Sequence, residues 1–265
     1  MNIDSDCRLI LGDAAEALVQ IKDSSIDLTV TSPPYDKQRT YNGFVDTWND
    51  QKWKDIMMQL YRVTAIGGVV VWVVNDGTID GDKTGTSFKQ VLFAKECGFN
   101  LHDTMIYHRH GMPNNSPRYS QDFEYMFVLS KGKPKTFNPI KVPCTYAGQS
   151  TSPTTREKDG RLTSQGRRKI GDTKKKSNIW HYQAGLNKTT KDKYAFECSA
   201  MFPEKLAEDH IITWTNDGDT VLDCFMGGGT TGKMALHNNR KFVGIEIDPI
   251  SFDICRRRTT PPFIV

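Results

Sequence analysis

The stretch Thr220–Asp248, TVLDCFMGGGTTGKMALHNNRKFVGIEID, decides the fold class. An apolar run ends at Asp223, and Gly227, Gly228 and Gly229 follow. A helical pattern opens near Thr230, and a second apolar run from Phe242 ends near Glu246. A strand, a glycine turn, a helix and a second strand make one βαβ unit of a parallel α/β sheet. Glycines at such a turn let the backbone approach a ligand and accept positive φ. The helix that follows offers unpaired N–H groups and a positive dipole end. An acidic residue roughly 20 positions on, at the tip of the next strand, suits a ribose diol. Glu246 stands there, so the ligand is expected to contain a ribose. Gly227, Gly229 and Gly232 also satisfy G-x-G-x-x-G, which alone would equally suit a nicotinamide dinucleotide.

A second stretch narrows the chemistry. Ile26-Asp27-Leu28-Thr29-Val30-Thr31-Ser32-Pro33-Pro34-Tyr35 reads as a short buried strand stopped by two prolines. Open α/β sheets bind ligands at the carboxyl edge of their strands. The prolines fix φ and remove two N–H donors, so the Pro33 carbonyl is held stiffly there. Ser32 adds a side-chain oxygen, and Tyr35 adds a flat face. These groups suit an aromatic amine, a poor nucleophile because its lone pair is delocalised into the ring. Two acceptors gripping the amine hydrogens favour a pyramidal nitrogen, and stacking on Tyr35 fixes the ring plane. Catalysis would rest on positioning and oriented dipoles. A base inside a duplex must flip out to reach such a site.

Working outward, residues 1 to about 135 alternate short apolar runs with helical spacing. Gln51–Thr64 places Trp53, Ile56, Met57, Leu60, Tyr61 and Val63 at helical intervals, and Val69–Val74 (VVVWVV) reads as a strand covered on both faces. Alternating strands and helices predict a doubly wound, mostly parallel sheet. Residues 1–135 and 196–265 are expected to form this α/β domain, with residues 136–195 as a basic, irregular insert. The chain's formal net charge is only +4, yet Arg156–Lys193 holds twelve Lys or Arg against four Asp or Glu, a local net of +8. That asymmetry is expected where one segment meets phosphates. Arg167, Arg168, Lys169, Lys174, Lys175 and Lys176 are the candidate DNA contacts, joined by Arg39 in the loop after Tyr35. Trp180, His181 and Tyr182 either face an unstacked base or anchor the insert.

Other classes find no support. The six cysteines form no C-x-x-C pair and the six histidines show no ligand spacing, so no metal is expected. Pro143-Cys144 is the dipeptide that C5 methylation of cytosine uses, but it lies in the irregular segment rather than at a strand end. No apolar run reaches the roughly 20 residues a membrane helix needs. The start MNIDSDCRLI lacks a signal pattern, and the scattered cysteines fit a reduced cytosol.

Together these residues resemble the beta-class amino DNA methyltransferases. That family carries a D/N/S-P-P-Y/F element near the N-terminus, an F-x-G-x-G loop near the C-terminus and a recognition segment between. Ser32-Pro33-Pro34-Tyr35, the basic insert and Phe225-Met226-Gly227-Gly228-Gly229 stand here in that order. Asp223–Thr231 is similar to the family's D-P-F-x-G-S-G-T-T stretch, departing at Cys224 and Gly228. Met201–Leu206 is similar to F-P-x-x-L, and Leu11-Gly12-Asp13 to the G-D that meets the cofactor adenine. The stretch Tyr125–Lys131 resembles the strand before the recognition segment.

The resemblance implies a site-specific enzyme that moves a methyl group from S-adenosylmethionine to an exocyclic amine in double-stranded DNA. Ser32, Pro33, Pro34 and Tyr35 would be catalytic. Asp13, Thr31, Phe202, Pro203, Asp223, Phe225, Gly227, Gly229, Thr230, Thr231 and Glu246 would hold the cofactor. Serine at the first catalytic position favours cytosine N4 over adenine N6, although both amines need the same acceptors. A homodimer and a cognate restriction endonuclease are partners the family allows, and the resemblance implies the cytoplasm of a prokaryotic or phage-infected cell. The rival is a nicotinamide-dependent oxidoreductase, which has no use for Ser32–Tyr35.

Overall fold

A computed structural model describes residues 2–4, 6–35, 48–109, 117–198 and 201–261. The main sheet is built from β1 (Asn2–Asp4), β2 (Cys7–Leu11), β3 (Ile26–Thr31), β4 (Thr64–Val74), β5 (Asn100–His108), β6 (Phe123–Ser130), β7 (Ile179–His181), β8 (Thr220–Asp223) and β9 (Lys241–Glu246). The helices are α1 (Ala14–Leu18), α2 (Asp50–Val63), α3 (Thr86–Glu96), α4 (Glu204–Trp214), α5 (Thr230–His237) and α6 (Pro249–Arg258). Among the described residues the sheet has nine strands in the order β1-β2-β9-β8-β3-β4-β6-β5-β7. Strands β2, β9, β8, β3 and β4 are mutually parallel, while β6 runs against both its neighbours. Helices α1, α2 and α3 pack along one face, and α4, α5 and α6 along the other. This is the expected doubly wound α/β architecture.

The local sequence explains these elements. Asn49 caps α2, its side chain accepting from the Lys52 amide at 3.0 Å. Trp53, Ile56, Met57, Leu60 and Val63 then form one buried stripe at helical spacing. In β4, Val70, Trp72 and Val74 join the core beneath α1–α3. The alternate residues Val69, Val71 and Val73 are equally buried and point to the opposite face. A run without polar alternation is what a central, doubly covered strand requires.

The chain divides into two compact units, residues 1–138 with 178–265, and residues Pro139–Ser177. These boundaries differ from the expected insert of 136–195. Residues 178–195 belong to the sheet unit for a physical reason: β7 pairs in parallel with β5, Trp180 and Tyr182 are buried, and the Tyr182 hydroxyl donates to Asp209 Oδ2 at 2.6 Å. Trp180 and Tyr182 are therefore part of the scaffold and cannot stack on a base.

Unit 139–177 is also more ordered than its sequence indicated. Lys141–Pro143 pairs with Thr173–Lys175, Ser150–Thr151 with Arg168–Lys169, and Thr154–Arg156 with Leu162–Ser164, all antiparallel. The pairings are nested, so the unit is a hairpin-like ribbon of three short two-stranded pieces. Almost all its side chains meet solvent, which is why no apolar alternation marked it as strand.

Beyond the ribbon, the chain is pinned by a buried ionic cluster. Asp192 Oδ2 accepts from Lys233 Nζ at 3.0 Å and from Arg258 Nε at 2.9 Å, and Glu204 Oε1 accepts from the same two side chains. Burial pushes the Asp192 carboxyl up, but the hydrogen bonds and charges of Lys233 and Arg258 outweigh it and hold it below the usual range. Removing one member of a buried ion cluster strands its partners. Arg258→Met is expected to destabilise the fold by about 3–5 kcal/mol in urea unfolding, and a loss below about 1 kcal/mol would contradict that role.

Candidate active site

The site forms where the strand order reverses. β8 runs through α5 to β9 on one side, β3 runs through α2 to β4 on the other, and β8 and β3 lie side by side. Such a switch point opens a crevice at the carboxyl ends of the strands. Thr31 ends β3 and Asp223 ends β8. Thr31 Oγ1 donates to Asp223 Oδ1 at 2.6 Å, and Thr231 Oγ1 on α5 donates to Oδ2 at 2.7 Å. The Phe225 amide also donates to Oδ1, at 3.1 Å. One carboxylate thus ties β3, the glycine loop and α5 together. Burial pushes Asp223 up to about 6 against the pull of these hydrogen bonds, with the Glu246 charge adding to the rise. Thr31, Asp223 and Thr231 were expected to touch a cofactor; their side chains bind one another beneath the loop.

The loop above them is shaped by its glycines. Gly227 and Gly229 have φ of 48° and 78°, and a Cβ on Gly229 would lie 2.5 Å from Cys255 Sγ. At Gly232, a Cβ would meet the Phe242 ring at 2.5 Å, so glycine there lets α5 lie close on β9. Glu246 anchors the loop from the tip of β9. Its Oε2 accepts from the Gly227 amide at 2.7 Å, and Oε1 accepts from the amides of Ile247 and Asp248 at 3.0 and 2.9 Å. Burial pushes its carboxyl up, and these amides act against that shift. Oε2 keeps a second acceptor position beside the Gly227 amide.

The flanking elements complete the cradle. Leu11 lies opposite Glu246 in register, and the Gly12 amide donates to the Glu246 carbonyl at 2.8 Å, which sets Asp13 beside the tip of β9. Asp13 caps α1 through the Ala15 amide and pairs with Lys52 Nζ at 2.6 Å. The Phe225 ring meets Trp48 and Trp72 edge-on at 5.5 and 6.2 Å. Arg258 donates to the Gly228 carbonyl at 2.7 Å and to Thr230 Oγ1 at 3.2 Å. Half-buried Phe202 precedes buried Pro203 at the start of α4.

The Ser32-Pro33-Pro34-Tyr35 element leaves the same edge. Pro33 is buried, while Ser32, Pro34 and Tyr35 are partly exposed. Tyr35, Trp48 and Phe225 pack against one core, so the Ser-Pro-Pro-Tyr element and the glycine loop share a floor. Ser32 Oγ lies 3.0 Å from Tyr35 Oη, and Tyr35 Oη donates to Glu124 Oε2 at 2.8 Å. Arg109 Nε stands 3.1 Å from the other Glu124 oxygen.

Sequence reasoning missed Trp48, Arg109, Glu124 and Arg258. Each comes from an element distant in the chain, and none carries a local motif. Arg39 lies outside the described residues. Arg167, Arg168, Lys169, Lys174 and Lys175 are exposed in the ribbon unit and Lys176 is half-buried there. Among the described residues, no group of three or more His, Cys, Asp or Glu is placed to hold a metal, and no helix is long and apolar enough to cross a membrane.

Doubly wound sheet, glycine loop with an acidic strand tip, and a Ser-Pro-Pro-Tyr edge define an S-adenosylmethionine-dependent methyltransferase. Comparison with known proteins narrows the class. The family model described as DNA methylase, of N6 and N4 type, matches residues 26–256. The orphan methyltransferase M.BamHII of Bacillus amyloliquefaciens is 49% identical over 244 residues, covering 90% of each chain. Among solved structures, the cytosine-N4-specific PvuII DNA methyltransferase superposes with a TM-score of 0.68 at 19% identity, covering 98% of this chain and 89% of that one. M1.HpyAVI in complex with SAM superposes with a TM-score of 0.61 at 21% identity, covering 95% of this chain and 98% of that one. The chain belongs to the DNA methylase family. Its substrate is DNA, its methyl donor is S-adenosylmethionine, and the nicotinamide alternative falls.

The Asp223 clamp has a pH signature. Its folded pKa of about 6 exceeds the unfolded value near 3.9, so the folded chain holds the proton more tightly. The stabilisation is complete below about pH 4 and lost as pH rises through about 6. Relative to Asp223→Asn, the wild type is expected to lose about 2 kcal/mol of stability between pH 4 and pH 7 in denaturant titrations. Parallel stability curves for the two proteins would contradict the assignment.

Proposed function

We propose that this enzyme methylates the amino group of one flipped base at a specific site in duplex DNA, cytosine N4 in preference to adenine N6. The observation that carries it is the 2.6 Å hydrogen bond from Thr31 to Asp223, which locks the strand bearing Ser32-Pro33-Pro34-Tyr35 against the strand bearing the glycine loop.

The cradle fits the cofactor by its chemistry. Glu246 and Asp13 offer acceptors for hydroxyl and amine hydrogens, and the left-handed turns at Gly227 and Gly229 let the backbone come close. Phe202, Pro203, Phe225 and Thr230 line its approach, while Thr31, Asp223 and Thr231 support it from below. S-adenosylmethionine supplies a methyl group on a positively charged sulfur. Ser32 Oγ and the Pro33 carbonyl accept the two amine hydrogens, and Tyr35 holds the ring plane. The nitrogen bonds to the methyl carbon as the sulfur–carbon bond breaks, and one amine proton then leaves to water. Ser32 supports the cytosine assignment, because serine at this position is commoner among N4 enzymes of the class it resembles.

Residues 139–177 would recognise the DNA. This unit carries ten Lys or Arg against three Asp or Glu. A two-stranded ribbon is of a width that the major groove admits. The same reading places the enzyme in the cytoplasm of a prokaryotic or phage-infected cell, with a second copy of the chain and a cognate restriction endonuclease as candidate partners.

Two experiments test this. DNA methylated by the purified protein, sequenced by a method that distinguishes modified cytosine from modified adenine, is expected to show N4-methylcytosine at one short motif. Methylated adenine would reassign the base, and unmodified DNA would overturn the reading. Replacing Arg167, Arg168 and Lys169 together by alanine is expected to flatten the plot of log affinity against log salt by about 2 to 3, near one unit per lost phosphate contact. An unchanged slope would remove the ribbon from the DNA interface.

A further inference from the structure

We propose that Glu124 is a positioning residue for methyl transfer, acting through the Tyr35 hydroxyl to fix which way the Ser32 hydroxyl points. The inference rests on the reading that Ser32 accepts from the target amine.

A serine hydroxyl has one hydrogen and two lone pairs, and it rotates to suit its surroundings. To free the lone pair of an aromatic amine, Ser32 must accept and not donate. Left alone, it could turn its hydrogen toward the base and present the wrong polarity. The structure supplies a device that prevents this. A carboxylate has no hydrogen to give, so the phenol of Tyr35 must donate to Glu124 Oε2, 2.8 Å away. The phenol oxygen then offers a lone pair toward Ser32 Oγ, 3.0 Å away, and Ser32 donates its single hydrogen there. The lone pairs of Ser32 are left for the amine. The polarity of the whole chain is thus set by the one member that can only accept.

Glu124 is suited to this task. It sits in β6 opposite Tyr107 of β5, so its backbone is fixed by the sheet. Its side chain is only 14% exposed, and its other oxygen forms an ion pair with Arg109, 3.1 Å from Nε but without hydrogen-bond geometry. The requirement is specific to serine. An aspartate at position 32 has no hydrogen to orient and accepts whatever its neighbours do. The Tyr35 ring keeps its stacking role, and its hydroxyl carries a separate one.

The test uses the full-length protein, duplex DNA and S-adenosylmethionine, with single-turnover methyl transfer as the readout and separate titrations of cofactor and DNA affinity. Tyr35→Phe retains the ring and removes only the relay oxygen. Glu124→Gln puts an amide nitrogen where one oxygen stood, so the relay can run backwards. Each is expected to slow transfer about ten-fold with both affinities unchanged, the equivalent of one hydrogen bond. The double variant Y35F/E124Q is expected to be no slower than Y35F alone, since Glu124 acts only through the hydroxyl. In a protein carrying S32D, Y35F is expected to add no further loss. Should E124Q not fold, Y35F with and without S32D decides alone. A wild-type rate in Y35F, multiplied losses in the double variant, or the same fractional loss on top of S32D would each overturn the relay while leaving the functional reading intact. A wild-type protein that binds S-adenosylmethionine and transfers nothing to DNA would overturn both.

Discussion

The buried carboxylate of Asp223 holds the two halves of this enzyme together. It lies where the sheet reverses direction, with Thr31 from one half on one oxygen and Thr231 from the other half on the second. Taking a carboxylate out of water is costly, and the raised pKa records that cost. The hydrogen bonds offset part of it, and geometry is what they secure. Thr31 immediately precedes Ser32, and Phe225, whose amide also binds Asp223, opens the glycine loop. A shift at this junction would move Ser32–Tyr35 and the glycine loop relative to each other, and transfer chemistry tolerates little such error.

The loop is braced from three further directions. Glu246 holds the Gly227 amide from above the next strand, Arg258 holds the Gly228 carbonyl from α6, and Trp48 and Trp72 confine Phe225. Arg258 itself is anchored by Asp192 and Glu204. Asp192 lies on the stretch that returns from the ribbon unit to α4, so the same ionic cluster fixes the loop and the path of the chain into it.

How much of this was legible in the sequence depends on the distance over which each signal acts. Strand, glycine turn and acidic tip are local, and Thr220–Glu246 folds as read. The six-residue run Val69–Val74 marked a doubly covered strand, and both faces of β4 are buried as it required. Ser32-Pro33-Pro34-Tyr35 was readable because prolines constrain the chain without help from elsewhere. Glu124 was not, since its meaning comes from Tyr35, 89 residues away. Thr31, Asp223 and Thr231 stood among eleven candidate cofactor residues, and only the folded chain shows that they bind each other. Residues 178–182 were absorbed into the insert because basic composition masked a three-residue strand whose partner is β5.

The central claim is that one sheet edge brings an amine and a methyl donor together. A crystal structure of the enzyme with duplex DNA and a non-reactive S-adenosylmethionine analogue tests it most directly. The account predicts a flipped base stacked on Tyr35, its amino hydrogens on Ser32 Oγ and the Pro33 carbonyl, and its nitrogen about 3–3.5 Å from the atom that replaces the methyl carbon. A base bound away from Ser32, or an analogue bound outside the cradle of Gly227 and Glu246, would contradict it.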